Sequence, residues 1–490
     1  MILLKNKYRR LFASVLTLAI ISCSNPWDDR VDNGDANLGV TLDEAITNTS
    51  ETSEFAKLLD QTGYAEELAA SKTYTVFVPT NTALAAVGSE ILNNPEALKQ
   101  FVANHITLTT YSSVRTNQEE RIKMFTNKNL IFKGSTMIDD ATIVSADHYA
   151  ANGVFHIIDK ALTPKLNIWQ YVNSTTATTE MTTYLRSLKE FNIYQSDIIG
   201  KSISATNGAG YLADSLTNSY LKNVYNLNNE DNLYTLFLME DVGYTAEVDK
   251  MKPYLIKTSN DPAIDSTAIY SKYFTVRDMA FHGKYELNEL PATLTSRFGV
   301  EVPVDKTQIV QQINLSNGIV YIMKKVDVPL TKRLLTTKIE GEANRGYIGS
   351  RTTMLYRDKK DPSGVLFNDL MVQAPNRAKF TFTYNARDMY STTYKVYWRA
   401  VNDRTTSNLF QQQLGIGGRI ETVGTTDNVA NFDKLFPLVT VPFNNYDEVL
   451  IGEFTKTSAG NIDLISLIGG PTTATSGLTL DYLKFVPVLK

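Results

Sequence analysis

Cysteine is nearly absent from this sequence: Cys23 is the only one among 490 residues. A disulfide within the chain is therefore excluded, and each domain must be held together by its apolar core. Clustered lysine and arginine are also missing and the formal net charge is −4, which argues against nucleic acid as a partner. Beyond residue 22 no apolar stretch approaches the roughly 20 residues that span a bilayer. At 43% hydrophobic residues, however, the chain has ample material for globular cores.

The position of the single cysteine predicts a lipid anchor. Four basic residues between positions 5 and 10 precede an uncharged apolar stretch over residues 11–21, and Ser22 stands directly before Cys23. The alternative to a signal peptide is an N-terminal anchor helix that spans the membrane. An apolar stretch of this length is too short for such a helix. The arrangement resembles a bacterial lipobox. That resemblance implies a signal peptide over residues 1–22, with Cys23 as the lipidation site and first residue of the mature protein.

Residues 23–37 are polar and acidic without apolar periodicity, which predicts a flexible tether. Asp28 and Asp29 resemble the acidic export signal of Bacteroidetes lipoproteins. This resemblance implies an outer-membrane protein exposed at the cell surface and attached to the membrane through its lipid alone. A calcium loop is disfavoured, because the spaced acids lack the glycine at the sixth position and the glutamate at the twelfth.

Motifs of the common catalytic sites are missing. No Gly-x-Ser-x-Gly elbow occurs, and a lipidated Cys23 offers no thiol nucleophile. His148 and His156 do not have metal-binding spacing, and Gly415-Ile-Gly417-Gly418 lacks the third spaced glycine of a phosphate loop. We therefore predict a protein that is not an enzyme and uses neither a metal nor another cofactor. An enzyme is the less favoured alternative.

Helix and strand signals alternate over residues 38–165. Asn94-Pro95-Glu96 predicts a helix start, and Asn152-Gly153 predicts a turn before a final β-rich run. YTVFVPTNT at 74–82, FVANHI around His105 and NGVFHIIDKALTP at 152–164 resemble the signature segments of a fasciclin domain. The resemblance implies a compact seven-stranded α/β fold that is used in adhesion and has no general catalytic apparatus. His105 lies on the apolar face of its predicted helix, so we predict a hydrogen-bonded structural histidine.

Residues 166–332 are predicted to be a degenerate second fasciclin-like domain. Residues 234–239 repeat the run at 74–79, and Asn317-Gly318 repeats Asn152-Gly153, at similar displacements along the chain. The segment from Phe274 to His282 would then correspond to the segment that ends at His105. Because the middle of this domain has diverged, we carry over no ligand-binding residue from the family.

From 335 to 490, short β-rich runs alternate with polar turns, which predicts an antiparallel β-sandwich. The strand YKVYWRA and the terminal LDYLKFVPV resemble jelly-roll, galactose-binding-like modules of surface glycan systems. The predicted fold class is therefore multidomain α+β: two fasciclin-like α/β domains, the second degenerate, followed by an all-β jelly-roll-like sandwich.

Alternation along residues 394–399 suggests where a ligand could bind. Tyr394, Val396 and Trp398 share the predicted core face, which makes Trp398 structural, while Tyr397 and Arg399 face the solvent. An exposed ring can cover the CH surface of a sugar, and a guanidinium can donate to its hydroxyls. A solvated strand face without a ligand explains these two residues equally well.

We therefore expect a surface lipoprotein that acts by non-covalent binding. The preferred ligand is a glycan, captured or presented beside an outer-membrane nutrient transporter. The alternative is a cell-adhesion or protein–protein scaffold lipoprotein, whose partner is another surface protein.

Overall fold

The computed structural model describes residues 36–70, 72–115, 119–174, 179–188, 218–258, 264–351, 354–373, 375, 377–404, 410–423, 426–430 and 432–490. The chain forms two compact units. The first comprises Met1–Tyr171, Leu227–Leu233 and Asn314–Gly318, and the second comprises Val172–Asn226, Tyr234–Ile313 and Ile319–Lys490. In the described part, no helix has the length and apolar character needed to cross a membrane.

The first unit is built on a seven-stranded sheet with helices. Its helices are α1 Leu42–Thr47, α2 Ser53–Thr62, α3 Tyr64–Leu68, α4 Asn81–Leu84, α5 Ser89–Leu92 and α6 Pro95–Ala103. Its strands are β1 Tyr74–Pro79, β2 Ile106–Leu108, β3 Glu120–Lys123, β4 Asn129–Phe132, β5 Met137–Ile138, β6 Ala141–Ala150 and β7 Gly153–Ile158. The strand order is β2-β1-β7-β6-β5-β4-β3, with β1 and β7 parallel.

Strand β1 is buried along its whole length because apolar side chains cover both of its faces. Val76 and Val78 belong to one core cluster, together with Phe101, and Phe77 belongs to a second cluster with residues of β3–β6. Helix α6 begins as its sequence predicts, since the Asn94 side chain accepts from the backbone N–H groups of two residues in its first turn.

The second fasciclin-like domain repeats this architecture in reduced form. Its helices are α7 Ile168–Asn173, α8 Glu180–Ser187, α9 Ser219–Asn223, α10 Asp241–Met251, α11 Ser266–Val276 and α12 Leu330–Arg333. Its strands are β8 Tyr234–Met239, β9 Ala280–His282, β10 Thr293–Thr295, β11 Glu301–Pro303, β12 Ile309–Leu315 and β13 Gly318–Met323. The order β12-β13-β8-β9 matches β6-β7-β1-β2, and β10 with β11 forms a separate pair.

Matching side-chain contacts support the duplication. Asn152 accepts from the N–H of Leu42, the first residue of α1, at 2.9 Å, and Asn317 accepts from the N–H of Ile168, the first residue of α7, at 2.9 Å. Both asparagines also donate to two backbone carbonyls in the segment that leads into the central strand of their domain. The Asn-Gly pair therefore has the same structural role twice.

The expected correspondence between His282 and His105 is wrong. Strand β2 pairs Leu108 with Tyr74, whereas β9 pairs His282 with Tyr234. His282 thus corresponds to Leu108. The carbonyl of Met279 accepts from the central strand at 2.9 Å, as the carbonyl of His105 does, so Met279 occupies the histidine position. Backbone pairing sets this register, and the spacing of aromatic and histidine residues does not reveal it.

The C-terminal part is an all-β sandwich. Its strands are β14 Thr337–Glu340, β15 Gly346–Ile348, β16 Met354–Lys360, β17 Leu366–Val372, β18 Thr381–Met389, β19 Thr393–Arg399, β20 Phe410–Ile416, β21 Arg419–Val423, β22 Thr426–Ala430, β23 Lys434–Leu435, β24 Val439–Val441, β25 Val449–Thr455, β26 Gly460–Gly469, β27 Leu478–Leu480 and β28 Tyr482–Pro487. The sheets have the orders β14-β28-β19-β25, β15-β18-β26-β20-β23 with β24 also on β20, β16-β17-β27 and β21-β22. Aromatic and aliphatic side chains of the larger sheets form the core.

The sandwich is hydrogen-bonded to the domain that precedes it within the second unit. The Tyr390 hydroxyl donates to the carbonyl of Arg333 at 2.9 Å. The N–H of Ser391 donates to the carbonyl of Tyr254 at 2.7 Å, and the N–H of Ala459 donates to the carbonyl of Ile256 at 2.7 Å. Residues on the two sides of the predicted boundary at 332–335 are thus part of one compact unit.

Candidate functional site

The exposed face of the sheet β14-β28-β19-β25 is the candidate site. One row of paired residues crosses all four strands: Leu450, Tyr397, Lys484 and Lys338. Tyr482 lies on the same face of β28, two residues before Lys484. The Leu450 side chain is 51% exposed, and both tyrosines are partly exposed. Two rings from neighbouring strands therefore lie diagonally on one open face.

The opposite face of β19 belongs to the core, as the alternation predicts. Tyr394 and Val396 are completely buried, and Trp398 is 2% exposed. Trp398 pairs with Leu483 of β28, which is also buried. Because successive side chains of a strand point to opposite sides, burial of Trp398 on one face orients Tyr397 towards solvent.

Both tyrosine rings are accompanied by lysines. The Lys338 Nζ lies 3.9 Å from the centroid of the Tyr482 ring, and the Lys484 Nζ lies 5.7 Å from the centroid of the Tyr397 ring. These distances permit cation–π attraction. The lysines are partly exposed on flexible stems, so they can be displaced by a ligand that stacks on the rings.

Glu448 links the two lysine and tyrosine groups on this face. It accepts from Lys484 at 2.9 and 2.7 Å and from the Tyr482 hydroxyl at 2.7 Å. Partial burial raises the pKa of Glu448, but the hydrogen bonds from Lys484 and Tyr482 outweigh it and hold the pKa below the ordinary value. Burial, together with Glu448, raises the pKa of Tyr482. At neutral pH the face therefore presents the Glu448 carboxylate beside the neutral phenol of Tyr482.

The charges of this face are balanced. Lys338 forms an ion pair of 3.0 Å with Glu340, and Lys484 forms one with Glu448. Lys395 precedes Tyr397 by two residues on the same face of β19, and it is paired with a glutamate of β25. The face consequently offers hydrogen-bond donors and acceptors beside two rings, without an excess of either charge.

Arg399 is held by structural partners that its strand position does not predict. Its Nε donates to the carbonyl of Tyr446 at 2.7 Å, Nη1 donates to Asp481 at 2.5 Å and Nη2 donates to Asp361 at 3.3 Å. The guanidinium lies 4.5 Å from the centroid of the Phe367 ring, and the side chain is only 11% exposed. Burial raises the pKa of Asp481 despite the neighbouring Arg399. Arg399 thus connects β19 to three surrounding segments.

His105 lies in the core of the first domain, where both of its ring nitrogens are hydrogen-bonded. The ring is fully buried; Nδ1–H donates to the carbonyl of Phe101 at 2.8 Å, and Nε2 accepts from the N–H of Leu162 at 2.9 Å. The rings of Phe55 and Phe101 lie 5.1 and 4.7 Å away. Burial lowers the pKa of His105 to about 4, although the hydrogen bond to Phe101 acts in the opposite direction. A neutral imidazole therefore joins the end of α6 to the segment after β7.

The remaining predicted residues are not part of this site. Cys23, Asp28 and Asp29 lie outside the described residues. His156 is buried and bonded to the carbonyl of Tyr111 at 2.8 Å, and His148 bonds to a neighbouring serine. Within the described ranges, no three histidine, cysteine or acidic side chains are grouped as metal ligands would be.

Sequence reasoning missed Tyr482, Lys484 and Glu448. The first two could have been found, because Tyr482 and Lys484 alternate with buried Leu483 and Phe485 in the terminal strand. Their position beside Tyr397 depends on strand pairing, which no local pattern specifies. Glu448 lies directly before β25, where no alternation of buried and exposed residues in the sequence predicts the orientation of its side chain.

Comparisons with known proteins identify the first domain. The family model described as Fasciclin domain matches residues 50–164. Protein sll1483 of Synechocystis sp. is 26% identical over 136 residues, which are 26% of this chain and 75% of that protein.

Two solved structures are similar to parts of the chain. A FAS1 domain pair of the insect cell adhesion molecule Fasciclin I has 16% sequence identity and a TM-score of 0.23. The alignment covers 58% of this chain and 98% of the Fasciclin I chain. A family 35 carbohydrate binding module of Clostridium thermocellum has 14% sequence identity and a TM-score of 0.21. The alignment covers 31% of this chain and 99% of the module. Residues 50–164 of this chain, by their match to the family model, are a fasciclin domain.

Proposed function

We propose that this protein is a non-catalytic surface lipoprotein that binds a glycan on the exposed face of the sheet β14-β28-β19-β25. The observation that carries the proposal is the pair of partly exposed tyrosines, Tyr397 and Tyr482, on neighbouring strands of one face. Diagonal cross-strand neighbours lie roughly 7 Å apart, so the two rings can contact one continuous ligand. Aromatic faces suit the CH surfaces of sugar rings.

The polar groups around the rings favour an uncharged glycan. Sugar hydroxyls both donate and accept hydrogen bonds, and the face offers lysine donors together with the Glu448 acceptor. Because Lys338 and Lys484 each have an acidic partner, an anionic polymer gains little net attraction there. Arg399 is bonded to Tyr446, Asp481 and Asp361, so we assign it no direct contact with the ligand.

The proposal is tested with the full mature chain carrying Cys23→Ala, probed against an array of neutral and acidic glycans. Tyr397→Ala and Tyr482→Ala should each weaken binding at least tenfold while leaving thermal unfolding nearly unchanged, because both rings are partly exposed. Tyr347→Ala is the matched control, since Tyr347 is 42% exposed on a strand of another sheet. Trp398→Ala should instead unfold the sandwich. Binding that survives both tyrosine substitutions would show that the face is not the site.

The fasciclin domain favours a second candidate function, adhesion to a protein of a neighbouring surface. The two functions are separated by the same array: a chain that binds no glycan, yet makes coated beads adhere to cells of its own species, would be an adhesion protein. Adhesion that depends on the fasciclin domain alone should be unaffected by Tyr397→Ala.

Surface anchoring is part of the proposal and follows from the position of Cys23. Cys23→Ala should move the protein from the membrane fraction to the soluble periplasm and remove lipid labelling. Replacing Asp28 and Asp29 by Ala should protect the protein from protease added to intact cells. Crosslinking on intact cells, followed by mass spectrometry, tests whether an outer-membrane transporter is a neighbour; recovery of only unrelated surface proteins would count against that partner.

A further inference from the structure

A cavity of about 370 Å³ lies within the second unit, at the end of the sheet that carries Tyr397 and Tyr482. Three stretches of the sandwich and one residue of the preceding domain line it: Ile256, Ser391, Thr392, Thr393, Thr455, Lys456, Thr457, Val488, Leu489 and Lys490. Its volume lies within the range of small-molecule sites. The stretches are hydrogen-bonded to one another, as Lys456 N–H to the carbonyl of Thr392 at 3.0 Å illustrates, so the walls are already in place.

Two lysines, Lys456 and Lys490, line this cavity, and a third, Lys257, directly follows the lining residue Ile256. The Lys456 Nζ donates to the carbonyl of Asn461 at 3.2 Å, and the Lys257 Nζ donates to the carbonyl of Ala459 at 3.3 Å. The Lys490 Nζ donates to a backbone carbonyl as well. Among the described residues, none of the three has a carboxylate within ion-pair distance. They differ in this from Lys338 and Lys484 of the tyrosine face.

Burial lowers the pKa of Lys456, and the positive charge of Lys257 lowers it further. The acids Asp433 and Asp463 act in the opposite direction but are smaller influences. The cavity is therefore a place where positive charge is concentrated and only partly compensated. An anion that enters it gains electrostatic energy and relieves the repulsion between the lysines.

The rest of the lining combines hydroxyl and apolar groups. The hydroxyls of Thr393 and Thr455 lie 2.9 Å apart and bond to each other, while Thr457 is exposed. Ile256 is 45% exposed and Leu489 is 44% exposed at the same cavity. Inorganic phosphate or sulfate would leave these apolar side chains without a contact.

We propose that this cavity binds a small hydroxylated organic carboxylate with one apolar face, of the class of a hexuronic acid. The carboxylate would be bound by Lys456 and Lys490, the hydroxyls by the threonines, and the CH face by Ile256 and Leu489. This site lies at the end of the same sheet, where Thr393 and Thr455 are paired outward residues of β19 and β25. Its lining includes neither Tyr397 and Tyr482 nor the lysines and Glu448 beside them, so the two sites share no binding side chain. The second unit then carries one site for an uncharged glycan and one for an acidic sugar.

The test is calorimetric titration of the full mature chain with galacturonate, galactose and sulfate, where galactose is the matched neutral sugar. Galacturonate should bind at least tenfold more tightly than either of the other two. Lys456→Met and Thr455→Val should each weaken galacturonate binding about tenfold or more, whereas Lys338→Met, which changes a lysine of the other face, should not alter it. Equal binding of sulfate, or galacturonate affinity unchanged in Lys456→Met, would overturn the proposal.

A measurement on the wild-type chain covers the case in which a variant fails to fold. Galacturonate should protect Lys456 and Lys490 from acetylation by an amine-reactive ester, with Lys338 as the unprotected internal reference. Protection of all three lysines, or of none, would refute the site. Loss of glycan binding in Tyr397→Ala with intact galacturonate binding would leave this proposal standing, so the two proposals fail separately.

Discussion

Lowering the pH from 7 to 4.5 should destabilise the first domain through His105. The folded state depresses the pKa of this buried imidazole from 6.5 to about 4. Above pH 6.5 the ring is neutral whether the domain is folded or unfolded. Between pH 6.5 and 4 the unfolded chain binds a proton that the folded domain does not, so stability falls as the pH falls. At about 1.4 kcal/mol per pH unit, the loss at pH 4.5 is about 2.5 kcal/mol.

The perturbation that isolates this effect is His105→Asn. Its side-chain amide can still donate towards the carbonyl of Phe101, but the N–H of Leu162 loses its partner, which should cost about 1–3 kcal/mol at pH 7. The variant cannot titrate at this position. The difference in stability between wild type and variant should therefore shrink towards zero by pH 4.5. His156, whose pKa burial also lowers, affects both proteins equally and cancels.

Hydrogen exchange of peptides from β1 and β7 in the full chain measures this stability separately from the second unit, after correction for the pH dependence of intrinsic exchange. The matched control is His282→Asn, because His282 is exposed on β9 of the second domain and should leave the exchange of β1 and β7 unchanged. A stability difference between wild type and His105→Asn that is the same at pH 7 and pH 4.5 would refute a neutral, hydrogen-bonded His105.

Four further substitutions test the structural contacts. Arg399→Met leaves the buried Asp481 without its cation and should destabilise the second unit by about 3 kcal/mol in denaturant unfolding followed by tryptophan fluorescence. A loss below about 1 kcal/mol would contradict a stabilising role of the Arg399–Asp481 ion pair. Asn317→Ala and Asn152→Ala should each cost about 3 kcal/mol in thermal unfolding, because three backbone groups lose a partner; a large effect in only one would argue against equivalent roles. Tyr390→Phe should cost about 1 kcal/mol by the same measurement, and no cost would show that its hydrogen bond to the preceding domain is negligible.

The parts of the fold that the sequence predicted are those with a local physical signature. Asn94 before Pro95 specifies a helix start because the cap satisfies backbone donors within the same turn. The alternation around Trp398 specifies a strand with one buried face, because successive side chains point to opposite sides. The Asn-Gly pairs specify two turns, and their repetition revealed the duplication. Each helix start, strand face and turn is specified by neighbouring residues alone.

Register and pairing partners lie beyond such patterns. Met279 takes the backbone position of His105 because hydrogen bonds align β9 on β8. The sequence comparison had aligned His282 with His105, because both histidines follow an aromatic residue at a short distance. The reduction of the second sheet to four strands, with β10 and β11 as a separate pair, likewise follows from contacts between distant segments. A duplicated sequence motif predicts a shared topology, but it does not predict which positions within the copy remain equivalent.

The contrast between Tyr397 and Arg399 shows the same limit at the candidate site. Both residues occupy outward positions of β19, and alternation treats them alike. Arg399 is at the end of the strand, where the turn acid Asp361 and Asp481 come within reach of its long side chain. A guanidinium that can form such pairs is drawn to them, whereas a tyrosine ring in the middle of the strand has only its cross-strand neighbours. Strand position therefore predicts the face of a residue, and it predicts availability for a ligand only when no oppositely charged turn lies within reach.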